Sequence, residues 1–249
     1  MPRVETTPTY SPGLEGVLAG ETAVCHVDEG EGGLRYRGYA VSELADKSCF
    51  EEVAYLLLFG ELPTRKEMKD FSAQCTARSV LPGPVEAFLG VVPPAAHPMD
   101  ILRTSVSLLG MSDPDALDNS HDANVRKALR LLAQIPLIIA TAHRLTRGTP
   151  RVIPHADLSF AERLLFLLTG RRDDDRAKAM ARVLDVSLTL YAEHEFNAST
   201  FAARVTASTM TDMHSAITSA IGTLKGPLHG GARSEERRVG KECRSRGAP

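Results

Sequence analysis

Two histidines stand where the chain changes direction, each among groups that donate or accept hydrogen bonds. His194 lies in Ala192-Glu-His-Glu-Phe-Asn-Ala-Ser-Thr200, at the end of one helical run and just before the next. His229 lies in Gly226-Pro-Leu-His-Gly-Gly-Ala232, a loop directly after a helical run. Helix ends leave backbone N–H and C=O groups unpaired, and such groups can fix an imidazole's tautomer. Glycines beside His229 permit positive φ and close approach of a ligand to the backbone. Asn197, Ser199 and Thr200 add donors at the start of the following helix, a setting suited to carboxylates. The chemistry these residue types offer is hydrogen-bond donation where negative charge resides or develops. Two blander readings stand beside it: a histidine that merely complements a helix dipole, and an ordinary Gly-Pro turn. Neither histidine has an H-x-x-x-H or spaced carboxylate partner, so the pattern gives no metal site.

The elements that must position these residues are mostly helical. Thr22-Ala-Val-Cys-His-Val-Asp28 and Leu34-Arg-Tyr-Arg-Gly-Tyr39 read as two short strands around the glycine-rich turn Glu29–Gly33. Ser48-x-x-Glu51 reads as a capping box that opens an apolar helix ending at Gly60 and Pro63. Thr64-x-x-Glu67 opens a second, running to about Leu81. A third follows His97-Pro98, with Met99, Leu102, Val106 and Leu109 on one side. Residues 122–147 form a long helix, kinked or broken near Pro136 and closed by Gly148. Ser159-x-x-Glu162 begins a helix that Gly170 closes, and 174–194 is helical with Ala179, Val183, Val186 and Leu190 on one face. Two more helices are predicted over about 200–208 and 212–225. No internal repeat appears.

Composition narrows the function classes. The 249 residues are 43% hydrophobic and 24% charged, ordinary for a globular protein with a sizeable core. No uninterrupted apolar run reaches the roughly 18 residues of a membrane span, and MPRVETTPTYSPG lacks a signal's apolar core, so a cytoplasmic location is expected. Cys25, Cys49, Cys75 and Cys243 are too scattered for a zinc site or disulfide framework and read as reduced, mostly buried thiols. A formal charge of −2 and the absence of tryptophan give no case for nucleic acid or an anionic membrane.

The last segment reads differently. RSEERRVGKECRSRGAP, residues 233–249, holds six Lys/Arg and three Glu and shows no helical or strand period. It resembles a translated sequencing adapter and is set apart as a non-native tail, the alternative being a natural basic tail. Without its +3 the rest of the chain carries −5.

AEHEFNASTFAARV followed by GPLHGGA is similar to the oxaloacetate-site segments of the citrate synthase family. LRYRGY (34–39), FEEVAYLLLFGELPT (50–64) and HPMDILRTSVSLLG (97–110) agree with that family, in its order. The resemblance covers residues 14–232 and implies a multi-helical large domain with a small N-terminal β-hairpin. The family's smaller helical domain would lie largely beyond Ala232. The implied reaction is condensation of acetyl-CoA with oxaloacetate to citrate and CoA, entering the tricarboxylic acid cycle. Propionyl-CoA and 2-methylcitrate are the alternative, and a non-catalytic helical scaffold is a remote one.

By that resemblance His194 hydrogen-bonds oxaloacetate, and His229 donates to the thioester carbonyl. Asn197 is a further oxaloacetate-site residue, and Leu228 and Gly230 belong to the loop near the CoA thioester. Tyr191 stands where many relatives carry histidine. Arg35 and Arg37 read as solvated or structural. No permanently bound cofactor is implied, only acetyl-CoA as co-substrate. A homodimer is the implied assembly, with no nucleic-acid or membrane partner. No Asp or Glu in residues 1–232 matches the family's catalytic base by motif. The chain as written is therefore expected to be inactive.

Overall fold

The computed structural model describes residues 20–28 and 33–230. Residues 29–32 of the glycine-rich turn, Gly231, Ala232 and the basic segment with Cys243 lie outside the described residues. Strands β1 (Cys25–Asp28), β2 (Gly33–Tyr36) and β3 (Tyr39–Ala40) form an antiparallel sheet in that order, with Cys25 opposite Tyr36 and Tyr36 opposite Tyr39. The run 34–39, read as one strand, is two. Arg37 and Gly38 both have positive φ, 47° and 91°, the requirement of a tight two-residue hairpin turn. Arg37 is held there by donating to Ala23 O and Leu57 O, and Arg35 donates to Gly38 O.

Ten helices follow among the described residues: α1 (Val41–Lys47), α2 (Phe50–Phe59), α3 (Arg65–Ala77), α4 (Gly83–Val91), α5 (Pro98–Ser112), α6 (His121–Thr146), α7 (Phe160–Thr169), α8 (Asp175–Leu190), α9 (Ala198–Ala207) and α10 (Met213–Leu224). The Thr64/Glu67 and Ser159/Glu162 capping boxes form as read, and Gly60 and Gly170 close their helices in the left-handed conformation. The Ser48/Glu51 box does not form. Ser48 caps the end of α1, and the backbone N–H of Cys49 donates to Glu52 instead. Glu51 is buried, accepting from Ser72 Oγ at 2.9 Å and from the Phe160 N–H at 3.2 Å. Two i, i+3 spacings competed, and burial against α3 and α7 took Glu51.

Helix α3 stops at Ala77, so that Leu81 can turn into the core beside Val85 and Leu89 of α4. Helix α6 runs unbroken through Pro136. By length and composition α6 could cross a membrane, but half of that stretch is buried in the protein. Its buried Leu131, Leu137, Ile138 and Ala140 meet α4, α5, α7 and α10 in the main core. Its polar face is buried too. Lys127 is fully buried and donates to Asp118 O at 2.6 Å, while Arg130 grips Asp113 through both carboxylate oxygens.

The apolar face read for α8 is not the buried one. Ala177, Ala181 and Thr189 face inward, whereas Val183 is 67% exposed and Leu190 45%. The inward side is fixed by polar bonds as much as by apolar contact: Asp185 accepts from the Phe50 N–H, and Arg182 donates to Ala45 O.

At the crossing of α5 and α10, a Cβ on Gly110 would lie 2.9 Å from His214 Cβ, so only glycine lets the helices meet. His214 is buried, with Nε2 3.4 Å from Asp113 and Nδ1 3.8 Å from Asp212. Burial holds its pKa below the usual histidine value, with Lys127 and Arg130 adding to that and Asp113 and Asp212 opposing it. The unfolded chain therefore binds this proton more tightly than the folded one. Stability from the neutral ring is full above about pH 6.5 and is lost as pH falls below it. Urea midpoints should accordingly drop between pH 7.5 and pH 5.5, and His214→Gln should flatten that slope. Equal slopes in the two proteins would contradict the assignment.

Candidate active site

Helix α8 ends at Leu190, so His194 lies in the connecting loop and not on a helix end as read from sequence. The ring is exposed and, among the described residues, takes part in no hydrogen bond. Around it the loop is fixed. Phe196 lies under the Arg204 guanidinium, 4.6 Å from the ring centroid, and Asn197 begins α9 as its N-cap. Asn197 Oδ1 accepts from the Thr200 N–H at 2.9 Å and from the Ser199 hydroxyl at 2.6 Å.

The second histidine reaches this cap from the other side. After α10, the Gly226 N–H donates to Thr223 O and the His229 N–H to Gly226 O, a tight reversal that carries the imidazole toward α9. His229 Nε2 lies 2.9 Å from Ser199 Oγ. A Cβ on Gly230 would meet Leu224 O at 2.5 Å, so the loop folds back onto the end of α10 only with glycine there. Positive φ, expected of the glycines here, occurs at neither Gly226 nor Gly230. Their small size is what the backbone uses. Leu228 points into solvent, 99% exposed, and Tyr191 is exposed as well.

The proton count along this chain of contacts fixes a tautomer. The Thr200 N–H orients the Asn197 amide with its oxygen toward Ser199, and that oxygen needs a donor. Ser199 has one proton, which goes to Asn197. Its oxygen then accepts, so Nε2 of His229 carries a proton and Nδ1 of the neutral ring is left as an acceptor. The structure thus joins Asn197, Ser199 and His229 into one relay across 30 residues of sequence between Ser199 and His229. It leaves His194 and Leu228 outside that relay.

Sequence reading missed the groups that anchor the second loop. Lys225, the last residue before it, donates to both carboxylate oxygens of Asp100 at 2.7 Å, tying the end of α10 to the first turn of α5. That contact holds the Asp100 carboxyl below its usual pKa. Nothing local marks the pair, because its members are 125 residues apart. His214 escaped notice for the same reason.

A cavity of about 570 Å³ is lined by Glu51, Ser72, Thr76, Asp157 and Arg163 and by none of the candidate residues. Volume and chemistry disagree here. The histidine–hydroxyl–amide relay is the better guide, since volume alone supplies no donor arrangement. Cys25 and Cys75 are buried and Cys49 partly so; burial raises each thiol to about 11, which makes them poor nucleophiles. Among the described residues no group of three or more His, Cys, Asp or Glu gathers as a metal-binding set.

The comparisons with known proteins agree on one family. The family profile described as "Citrate synthase, C-terminal domain" matches residues 13–247, a span that takes in most of the basic segment after Ala232. A 2-methylcitrate synthase of Mycobacterium tuberculosis is 44% identical over 231 residues, covering 93% of this chain and 58% of its own length. A citrate synthase of Synechocystis is 44% identical over 228 residues, covering 91% and 56%. The citrate synthase of Thermoplasma acidophilum, solved as a ternary complex with carboxymethyl coenzyme A and oxaloacetate, has a TM-score of 0.83 and 31% identity. That match covers 91% of this chain and 58% of the other. The chain therefore spans less than two thirds of the length of these relatives.

The relay makes a stability prediction. Asn197→Ala removes the N-cap acceptor and should lower unfolding free energy by about 1–2 kcal/mol in urea titrations. Asn197→Asp, which keeps the oxygen, should restore most of it. A neutral Asn197→Ala change would mean the cap is not formed.

Proposed function

Because the chain belongs to the citrate synthase family, we propose that it supplies part of the active site of an enzyme condensing an acyl-CoA with oxaloacetate. The observation that carries this reading is the Asn197–Ser199–His229 relay, which brings an imidazole to the N-terminus of α9 beside the His194 loop. The similar Thermoplasma protein, solved with a coenzyme A analogue and oxaloacetate together, supports the two-substrate reading.

In the proposed reaction a base outside residues 1–232 removes a proton from the carbon next to the thioester carbonyl. His229 donates a hydrogen bond to the carbonyl oxygen as it becomes an enolate oxygen. The new C–C bond forms to the ketone carbon of oxaloacetate as its C=O opens to an alkoxide, which takes up a proton to become the product's hydroxyl, and water then cleaves the thioester, giving citrate and free CoA. The relay adds a condition. A neutral His229 donates from Nδ1 only if Ser199 turns its proton from Asn197 to Nε2, which leaves the Thr200 N–H to hold Asn197 Oδ1 alone. His194 donates to oxaloacetate from its loop, and the unpaired N–H groups of the first turn of α9 favour the carboxylates.

Acetyl-CoA is the proposed acyl donor and citrate the product. Propionyl-CoA, giving 2-methylcitrate, is the second reading. It stands beside the first because the 44% identity to a 2-methylcitrate synthase equals that to the citrate synthase relative. One methylene is worth only about 1–3 kcal/mol in such a choice. The proposed assembly is a homodimer, which the exposed apolar Val183, Leu190 and Val205 support.

Titration calorimetry of the 249-residue chain with oxaloacetate tests the reading. His194→Ala should weaken binding about 10-fold or more, as loss of a hydrogen bond to a charged ligand requires. Unchanged binding would sink it. Thiol release from acetyl-CoA or propionyl-CoA by this chain alone should be undetectable, and turnover would show that the base lies within it. Where turnover is measured, His229→Gln should lower it about 10²- to 10³-fold.

A further inference from the structure

His194 is held by neither of the helices it joins. The residues on both sides of it are fastened to the N-terminal hairpin, more than 150 residues away in sequence. Tyr36, fully buried on β2, donates its hydroxyl to Thr189 O at 3.0 Å and lies 3.2 Å from Leu190 O, at the last turn of α8. The same hydroxyl accepts from the Glu193 N–H at 3.3 Å. Glu193 Oε1 in turn accepts from the Glu195 N–H at 2.7 Å and faces Cys25 Sγ at 3.6 Å. Glu195 Oε1 accepts from the Val27 N–H of β1 at 2.8 Å. Glu195 has φ of 68°, a conformation that costs a non-glycine residue energy and persists only where surrounding bonds impose it. Here those bonds all come from the hairpin or the loop itself.

The His194 ring is exposed and makes no hydrogen bond among the described residues, so this backbone sets the direction in which its Cα–Cβ bond leaves the loop. The arrangement has a second consequence. Glu193 and Glu195 flank His194, and two free carboxylates beside a dianionic substrate would repel it. Both carboxylates are instead occupied by N–H donors of the loop and of β1.

We propose that the hairpin is the mount of His194: Tyr36, Cys25 and Glu195 are positioning residues that fix where its imidazole points and turn the flanking carboxylates away from the ligand. The ligand half of this statement rests on the oxaloacetate reading above; the positional half does not.

The test uses the full chain with ¹³C-labelled histidine, the His194 Cε1–H signal being assigned from His194→Ala. Glu195→Ala removes the acceptor for the Val27 N–H, whereas Glu195→Gln keeps an oxygen there. The expected result is a shifted or broadened His194 signal in Glu195→Ala, with His229 unmoved, and recovery in Glu195→Gln. Tyr36→Phe should move the same signal, and if that variant fails to fold the Glu195 pair still decides. A His194 signal identical in wild type and Glu195→Ala would overturn the proposal. Oxaloacetate titration separates the two halves. Binding weakened about 10-fold in Glu195→Ala and recovered in Glu195→Gln supports both. A shifted signal with no oxaloacetate binding even in wild type keeps the mount and rejects the ligand.

Discussion

Burial of α6 on more than one side is the constraint from which the rest of the architecture follows. A helix of 26 residues with Lys127 fully buried and Arg130 partly so needs charge and carbonyl partners at fixed places, because an unpaired buried charge is very costly. The loop after α5 provides them: Asp113 and Asp115 for Arg130, Asp118 O for Lys127. That requirement fixes where α5 ends. The place where α5 ends, with Gly110 beside His214, fixes how closely α10 can approach. The end of α10, tied by Lys225 to Asp100, then delivers His229. The proposed enolate-stabilising group is thus positioned by a series of contacts that begins in a buried charge.

His194 is reached by a separate route. Its position follows from the hairpin, which packs with α1 and α2 around the small cluster of Cys25, Tyr36, Leu44, Val53 and Leu56. The two routes meet at α9, where Asn197 caps the helix and Ser199 links it to His229. In the proposed reaction each arm presents one histidine to one of the two substrates.

Much of the helical order was legible because capping and closure are local. Thr64 with Glu67, Ser159 with Glu162, and the left-handed Gly60 and Gly170 need only three or four consecutive residues to declare themselves. Helices α1 and α4 were missed because Val41–Lys47 and Gly83–Val91 are too short for a clear period. The wrong face was assigned to α8 because its inward side uses small residues and polar bonds to backbone, and an apolar-period argument looks for large side chains.

The sequence by itself determined the helical class, most helix boundaries, the two histidine loops and the family to which they point. These properties live in residue type and short spacing, which the chain carries wherever it folds. Only the tertiary structure decided that Ser199 and not His194 is the partner of His229, that Glu51 is a buried fastener and not a cap, and that the hairpin holds the His194 loop. Those are contacts between residues 21 to 170 positions apart. Their pairing is set by which surfaces must be buried and which charges must then be satisfied, and no local pattern records that.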